Sequence, residues 1–276
     1  MIKVPVKIKL PFLWGKAVFK KENWSQVNVI VGPNGSGKTL IANQLAHQFA
    51  NAGYSVRLFN TDLIDEEDIY YSLNKNEKIR TKIEDILSTM FAKEIRFEKG
   101  SDNSIIPVAV NKTHGIEYSI TKDECHGLKK IIALLSTLYV EEQNANCLMI
   151  DEPELHLHPQ FQNFFMSEIR RLAKENPTRL FFIATHSPFF IDLKSPDELL
   201  GVIVCHINSV ATSIDKLSEN DYLLFKKFLP RFNSYHKQFF FSDNQIFVEG
   251  YTDQQILSTI LTNLGFPYNS SGTGII

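Results

Sequence analysis

The octapeptide Gly32-Pro33-Asn34-Gly35-Ser36-Gly37-Lys38-Thr39 fits G-x-x-x-x-G-K-[ST] at every fixed position. Its glycines let backbone N–H groups turn inward around a pyrophosphate, and a helix opening at Lys38 adds the partial positive charge of its N-terminus. Lys38 has the reach for the β and γ phosphates of a nucleotide, and the Thr39 hydroxyl is a ligand for Mg²⁺. Further along, Leu148-Met149-Ile150-Asp151-Glu152 is an apolar run that ends in two acids. Asp151 suits a Mg²⁺ carboxylate, direct or in the second shell, and Glu152 suits a general base that polarises the attacking water. A third apolar run, Phe181-Phe182-Ile183-Ala184, leads into Thr185-His186-Ser187. There an imidazole would donate a hydrogen bond to the γ phosphate. A Gly-rich turn, an acid-ended strand and a single His each have an ordinary structural explanation. Their order along one chain favours a joint one, the Mg²⁺-dependent hydrolysis of a nucleoside triphosphate.

Such a site needs strands that end side by side and helices that begin there. Strand and helix patterns alternate along most of the chain, as in an α/β protein with a largely parallel sheet. A β-branched run over 27–31 precedes the Gly-rich loop, and a helix with Leu40, Ile41, Leu45 and Phe49 at helical spacing follows over 38–52. Strands are expected at 54–59, 147–150, 180–184 and 200–206, and helices at 127–139 and 160–175. Residues 1–12 alternate Lys with Val, Ile and Leu before Pro11, a strand pattern. Between about 61 and 124 the regularity loosens into helices at 66–71 and 77–90 and strands at 105–110 and 116–120. This stretch reads as an insertion on the core sheet. A polar, aromatic-rich connector at 218–241 precedes one more strand at 245–248 and a helix at 253–264.

Length and charge narrow the class. The chain has 276 residues, 29 Lys plus Arg against 31 Asp plus Glu, 43% hydrophobic and 22% charged residues. That is an ordinary globular composition, with a net charge of −2 that excludes a uniformly basic nucleic-acid-coating protein. Three cysteines, Cys125, Cys147 and Cys205, make neither a paired framework nor a C-x-x-C, so a reducing, cytoplasmic setting is expected. The N-terminus does not read as a signal peptide, and no run of roughly eighteen apolar residues marks a membrane span.

The Gly-rich loop, Asp151-Glu152-Pro153-Glu154-Leu155-His156-Leu157-His158-Pro159 and Thr185-His186-Ser187 together resemble the ATP-binding-cassette type of ATPase found in SMC-like heads. More closely they resemble the AAA-ATPase half of the OLD (overcoming lysogenisation defect) family, over about residues 1–206. That resemblance implies an ATP-sandwiched homodimer or higher oligomer, in which each loop faces a signature sequence of the partner. The place for that signature is Cys125-His126-Gly127, which departs from the usual Ser-x-Gly, so Cys125 and Gly127 are candidate nucleotide contacts in trans. Lys129 and Lys130 in the first helical turn favour an anion nearby, although Asp123 and Glu124 also offset them.

Phe247-Val248-Glu249-Gly250-Tyr251-Thr252-Asp253 resembles the opening of a Toprim domain, with Glu249, and by extension Asp253, as metal-site acids. No Asp-x-Asp follows Glu249, whereas two-metal phosphodiester cleavage needs several carboxylates. Either the nuclease is completed further along, or it is vestigial, or another chain completes it. The resemblances divide the chain into an ABC-type ATPase domain at 1–217, a helical connector at 218–243 and a partial Toprim-like segment at 244–276. They imply an ATPase that controls a Toprim-type DNA nuclease in prokaryotic defence against phage, with DNA and a separate effector or nuclease subunit as partners. A nucleotide-gated scaffold is the rival, and a transporter cassette has no use for the tail. Other candidates are a His156/His158 metal pair, adenine stacking by Trp14 or Trp24, and nucleic-acid tracking by Lys226, Lys227, Arg231 and Lys237 among Phe225, Phe228, Phe232 and Tyr235. Ordinary loop, core and amphipathic-helix roles account for these as well.

Overall fold

The computed structural model describes residues 2–60, 66–91, 93–99, 105–111, 113–123, 126–207, 209–232, 236–242, 244–266 and 273–275. Its principal sheet runs in the order Thr212–Ser213, Val202–Val204, Val27–Val31, Leu180–Ala184, Cys147–Asp151, Val56–Asn60. Neighbouring strands are parallel, except that the short edge strand Thr212–Ser213 runs antiparallel to Val202–Val204. The central strands are apolar at nearly every position because both faces are covered. Val29, Val31, Leu148, Ile150, Phe181 and Ile183 face one core, and Ile30, Cys147, Met149, Leu180, Phe182 and Ala184 face the other.

On the second face lie the helix Lys38–Asn51 and an antiparallel hairpin of Ile2–Ile8 with Phe19–Trp24. Pro11 does not extend the first strand as its Lys alternation suggests. It opens a four-residue helical turn, Pro11–Trp14, because its fixed φ and missing N–H suit a first helical position. The returning strand was hidden by the charges of Lys20, Lys21 and Glu22. Trp24 is wholly buried there, its Nε1 donating to the Val4 carbonyl at 2.8 Å and its ring edge-on to Phe49 and Phe182. Trp14 is buried too, so both tryptophans belong to the core.

The first face carries the helices Glu66–Lys75, Glu77–Phe91, His126–Asn144 and Pro159–Glu175. Beside them a three-stranded antiparallel sheet pairs Glu94–Lys99, Ile105–Asn111 and Ile116–Ser119. Its Ile95, Phe97, Ile105 and Ala109 join the same core as the parallel sheet, so the stretch read as an insertion packs as part of the domain. The strand expected at 200–206 is shorter. Pro196 starts a 3-10 turn, Pro196–Gly201, and the strand proper is Val202–Val204. Gly201 is required because a Cβ there would lie 2.4 Å from the Val27 carbonyl oxygen.

The stretch expected as a connector contains the helix Glu219–Phe228, capped reciprocally by Ser218 and Asp221, followed by 3-10 turns. Beyond it, the strand Asn244–Ile246, the helix Tyr251–Asn263 and the strand Thr273–Ile275 form one parallel β-α-β unit.

Candidate active site

The loop after Val27–Val31 holds Gly32, Gly35 and Gly37 at φ of 147°, 78° and 86°, a region that favours glycine. Two of these positions are also crowded. A Cβ on Gly32 would lie 2.4 Å from the Cys205 carbonyl oxygen, and one on Gly37 would lie 2.7 Å from Leu13 Cδ1. Gly35 has open space around it, so only its backbone conformation demands glycine there. Pro33 accepts the Ser36 N–H at 3.3 Å, closing the turn across Asn34. Lys38 opens the helix and is buried, its Nζ donating to the carbonyls of Gly32 at 3.0 Å and Pro33 at 3.1 Å. Burial lowers its pKa from the ordinary lysine value, against the opposing charges of Cys205, Glu152, Glu154 and Asp151.

Three strand ends meet this loop. Thr39 Oγ1 donates to Asp151 Oδ2 at 2.8 Å, which places a hydroxyl and a carboxylate within the span of one cation's ligand shell. Desolvation raises the Asp151 pKa, partly offset by the Thr39 hydrogen bond. A buried carboxylate of this kind, beside a hydroxyl, fits a hard divalent cation such as Mg²⁺. Glu152 stands at φ 51°, sparsely populated for a residue with a Cβ, and its N–H donates to the Ala184 carbonyl at 2.8 Å. That bond ties the second strand end to the third.

His186 faces both acids beyond the strand. Its Nδ1 lies 3.1 Å from Glu154 Oε1 and 3.8 Å from Glu152 Oε1, and its backbone N–H donates to Glu154 Oε1 at 2.8 Å. Glu154 is buried, which raises its pKa despite the hydrogen bonds from His186 and Thr185. Sequence reasoning missed Glu154 because its partner is 32 residues away. The signal available was a third acid within four residues of a strand end. Gln162 was missed likewise. It donates to the Leu157 carbonyl at 2.8 Å and accepts from Ser187 Oγ at 2.5 Å, binding the two loops together.

Elsewhere the sequence candidates separate. His158 caps the helix Pro159–Glu175 through Nδ1, and His156 stands at φ 63° with its ring 6.3 Å from that of His126. Among the described residues no group of three or more His, Cys, Asp or Glu is arranged to hold a metal. Cys125 and Glu124 lie outside the described residues. Gly127 lies in the first turn of His126–Asn144, where an added Cβ would lie 3.5 Å from the His156 carbonyl oxygen and 3.6 Å from the Phe161 ring, so this helix start abuts the loop after the acid pair. Lys129 donates to the Thr121 carbonyl at 2.5 Å, a local partner different from Asp123 and Glu124.

Glu249 and Asp253 are exposed, in the bend before and the first turn of Tyr251–Asn263. Phe225, Phe228 and Phe232 line a cavity of about 640 Å³ against Val202 and Val204, and Lys237 is half-buried beside Asp192. These aromatics border the sheet edge, with Phe228 still 43% exposed. Tyr235 and the Arg231 side chain lie outside the described residues.

Comparison with known proteins agrees with this geometry. Residues 111–191 match the family model described as an AAA ATPase domain, and residues 16–113 match Novel STAND NTPase 3. An OLD nuclease of Thermus scotoductus is 29% identical over 111 residues, 39% of this chain and 21% of that protein. The matched stretch thus spans about a fifth of that relative's length. Among solved structures, the SMC head domain from Thermotoga maritima superposes with a TM-score of 0.52 at 13% identity, covering 79% of this chain and 100% of that one. An SMC head bound to the C-winged helix domain of ScpA gives 0.50 at 15% identity, covering 75% of this chain and 95% of that one. Mixed sheet, phosphate loop and acid-ended strand define the chain as a P-loop ATPase with the fold of SMC heads. Within that fold its partial sequence matches are to an AAA ATPase domain and to an OLD nuclease. No helix among the described residues is long and apolar enough to cross a membrane.

Proposed function

We propose that the chain binds MgATP in the Gly32–Thr39 loop and hydrolyses it with Glu152 as general base. The observation that carries this is the convergence of Lys38, Asp151, Glu152 and His186 on one edge of the sheet, fixed by the Glu152 N–H bond to Ala184. The backbone from Gly32 to Thr39 would cradle the phosphates, and Lys38 would exchange its two carbonyl partners for the β and γ phosphates. Thr39 and Asp151 would hold Mg²⁺, which when bound neutralises developing phosphate charge. Glu152, on a partly exposed side chain, takes a proton from the attacking water. His186 donates to the γ phosphate.

The resemblance to an OLD nuclease supports a wider reading. Two copies would enclose ATP, each loop facing the partner's helix start around Cys125 and Gly127, and closure would govern a nuclease acting on DNA in the cytoplasm, in defence against phage. In this reading 1–217 is the ATPase domain, 218–243 the connector and 244–276 the opening of a Toprim unit with Glu249 and Asp253 as its acids. The scaffold alternative draws support from the exposed Glu249 and Asp253, which no third ligand joins among the described residues. Lys38→Ala tests the nucleotide site: titration calorimetry should show micromolar-range MgATP binding lost in the variant. Binding that survives unchanged would overturn the assignment.

A further inference from the structure

Asp151 is not the only enclosed acid near the nucleotide site. Glu154 is 8% exposed; its Oε1 accepts the His186 backbone N–H at 2.8 Å and lies 3.1 Å from Nδ1 of that ring, a nitrogen that is itself buried without a hydrogen-bond partner. Oε2 is buried with no hydrogen-bond partner. A carboxylate in such a place is costly unless a proton or cation answers it, and the imidazole is the group in reach. Thr185 donates to Glu154 and accepts the Ser187 N–H at 2.9 Å, which ties the segment bearing the ring to the same carboxylate. His186 is about a third exposed, its Nδ1 side closed by Glu154 and Glu152.

We infer that Glu154 is a positioning residue for ATP hydrolysis: it engages Nδ1 of His186 and so presents Nε2 to the γ phosphate. A net-neutral pair shares one proton between Glu154 Oε1 and Nδ1, and whichever atom holds it, Nε2 keeps its own hydrogen for donation. This explains why an acid three residues past Asp151 is buried while the proposed base Glu152 stays partly open. It also explains the link between the two loops, since movement of Glu154 with the loop after the strand carries His186 along. The inference rests on the γ-phosphate role given to His186 above.

The test uses Glu154→Gln, Glu154→Ala, His186→Ala and the double variant Glu154→Ala/His186→Ala, each measured for MgATP affinity, KM and kcat. Glu154→Ala should lower kcat about 10- to 100-fold, as loss of an orienting carboxylate commonly does, with affinity changed less than about threefold. The double variant should be no slower than His186→Ala alone, because residues acting as one unit are not additive. Nitrogen-15 spectra of histidine-labelled protein give a readout independent of turnover, with the His186 ring assigned by its disappearance in His186→Ala. Glu154→Gln should change the Nδ1 and Nε2 shifts of that ring, and this variant serves if Glu154→Ala does not fold. Independent, multiplying losses, or ring shifts unmoved in Glu154→Gln, would overturn the inference. A His186→Ala protein that turns over at the wild-type rate would instead overturn the role of His186 itself.

Discussion

Asp151 and Glu152 are adjacent in sequence but differ in what surrounds them. Asp151 is buried and accepts from Thr39, which suits it to a cation, whereas Glu152 sits at positive φ with a partly exposed side chain facing His186. Glu152→Gln keeps that shape and removes the basicity. It should leave MgATP affinity within a few-fold and lower kcat by about 10²- to 10⁴-fold, read in a phosphate-release assay. Gly37 makes a second, steric case. With φ at 86° and Leu13 Cδ1 2.7 Å from any added Cβ, Gly37→Ala should cost about 1–3 kcal/mol of stability, measured by urea unfolding, and should weaken nucleotide binding. These residues were legible in the sequence because phosphate and cation chemistry dictates their types and local spacing. Glu154 and Gln162 were not, because their roles arise only when the Asp151 and Ala184 strand ends lie side by side.

Lys21 shows how an element can hide. Three of the six residues in Phe19–Trp24 are charged, yet Lys21 is buried, its Nζ donating to the Ile214 carbonyl at 2.6 Å and lying 3.8 Å from Asp215 Oδ1. Asp215 Oδ1 in turn accepts the N–H groups of Glu22 and Asn23, so the hairpin is tied to the segment beyond the sheet's edge strand. Burial lowers the Lys21 pKa to about 8, more than the Asp215 charge restores. The folded pKa lies below the unfolded value near 10.5, so the charged form is penalised below pH 8 and stability from this group rises as pH climbs through that interval. Cys147 and Cys205, pushed up to about 12 by burial, act oppositely above about pH 9. Urea midpoints at pH 7.5 and 9.5 for wild type and Lys21→Met separate the two, since the cysteines are common to both. The difference between the proteins should shift in favour of wild type at the higher pH; a constant difference would refute the assignment.

A second tie joins the helix after the acid loop to the sheet edge. Arg170 pairs with both carboxylate oxygens of Glu198 at 2.7 and 3.0 Å and also donates to the Asp192 carbonyl. Arg170→Met should destabilise by about 2–3 kcal/mol, less than a fully buried pair because these groups are partly exposed; the check is again a urea midpoint. Long amphipathic helices and apolar strands were legible from their periodicity. The 3-10 turn at Pro196–Gly201 and the returning hairpin strand were not, since backbone approach at Gly201 and the inward turn of Lys21 are tertiary facts.

The molecule as a whole places its chemistry at the ends of parallel strands, where helix N-termini and loops converge, and its covered faces carry the stability. The sequence pattern was sufficient for this architecture because strands buried on both sides must be apolar throughout. It was less informative for the C-terminal β-α-β unit, whose helix buries none of its residues and leaves Ile256 and Ile260 exposed. If ATP joins two copies, Glu152→Gln with MgATP should double its mass by light scattering relative to the same protein without nucleotide, and Lys38→Ala should not. Hydrolysis of ATP at the convergent strand ends is assigned to Glu152. Single-turnover hydrolysis with protein in excess over radiolabelled MgATP tests it most directly, because binding and chemistry are then read in one experiment. We expect the wild type to release phosphate and Glu152→Gln to hold ATP intact over the same interval. Phosphate release at equal rates from both proteins would contradict the account.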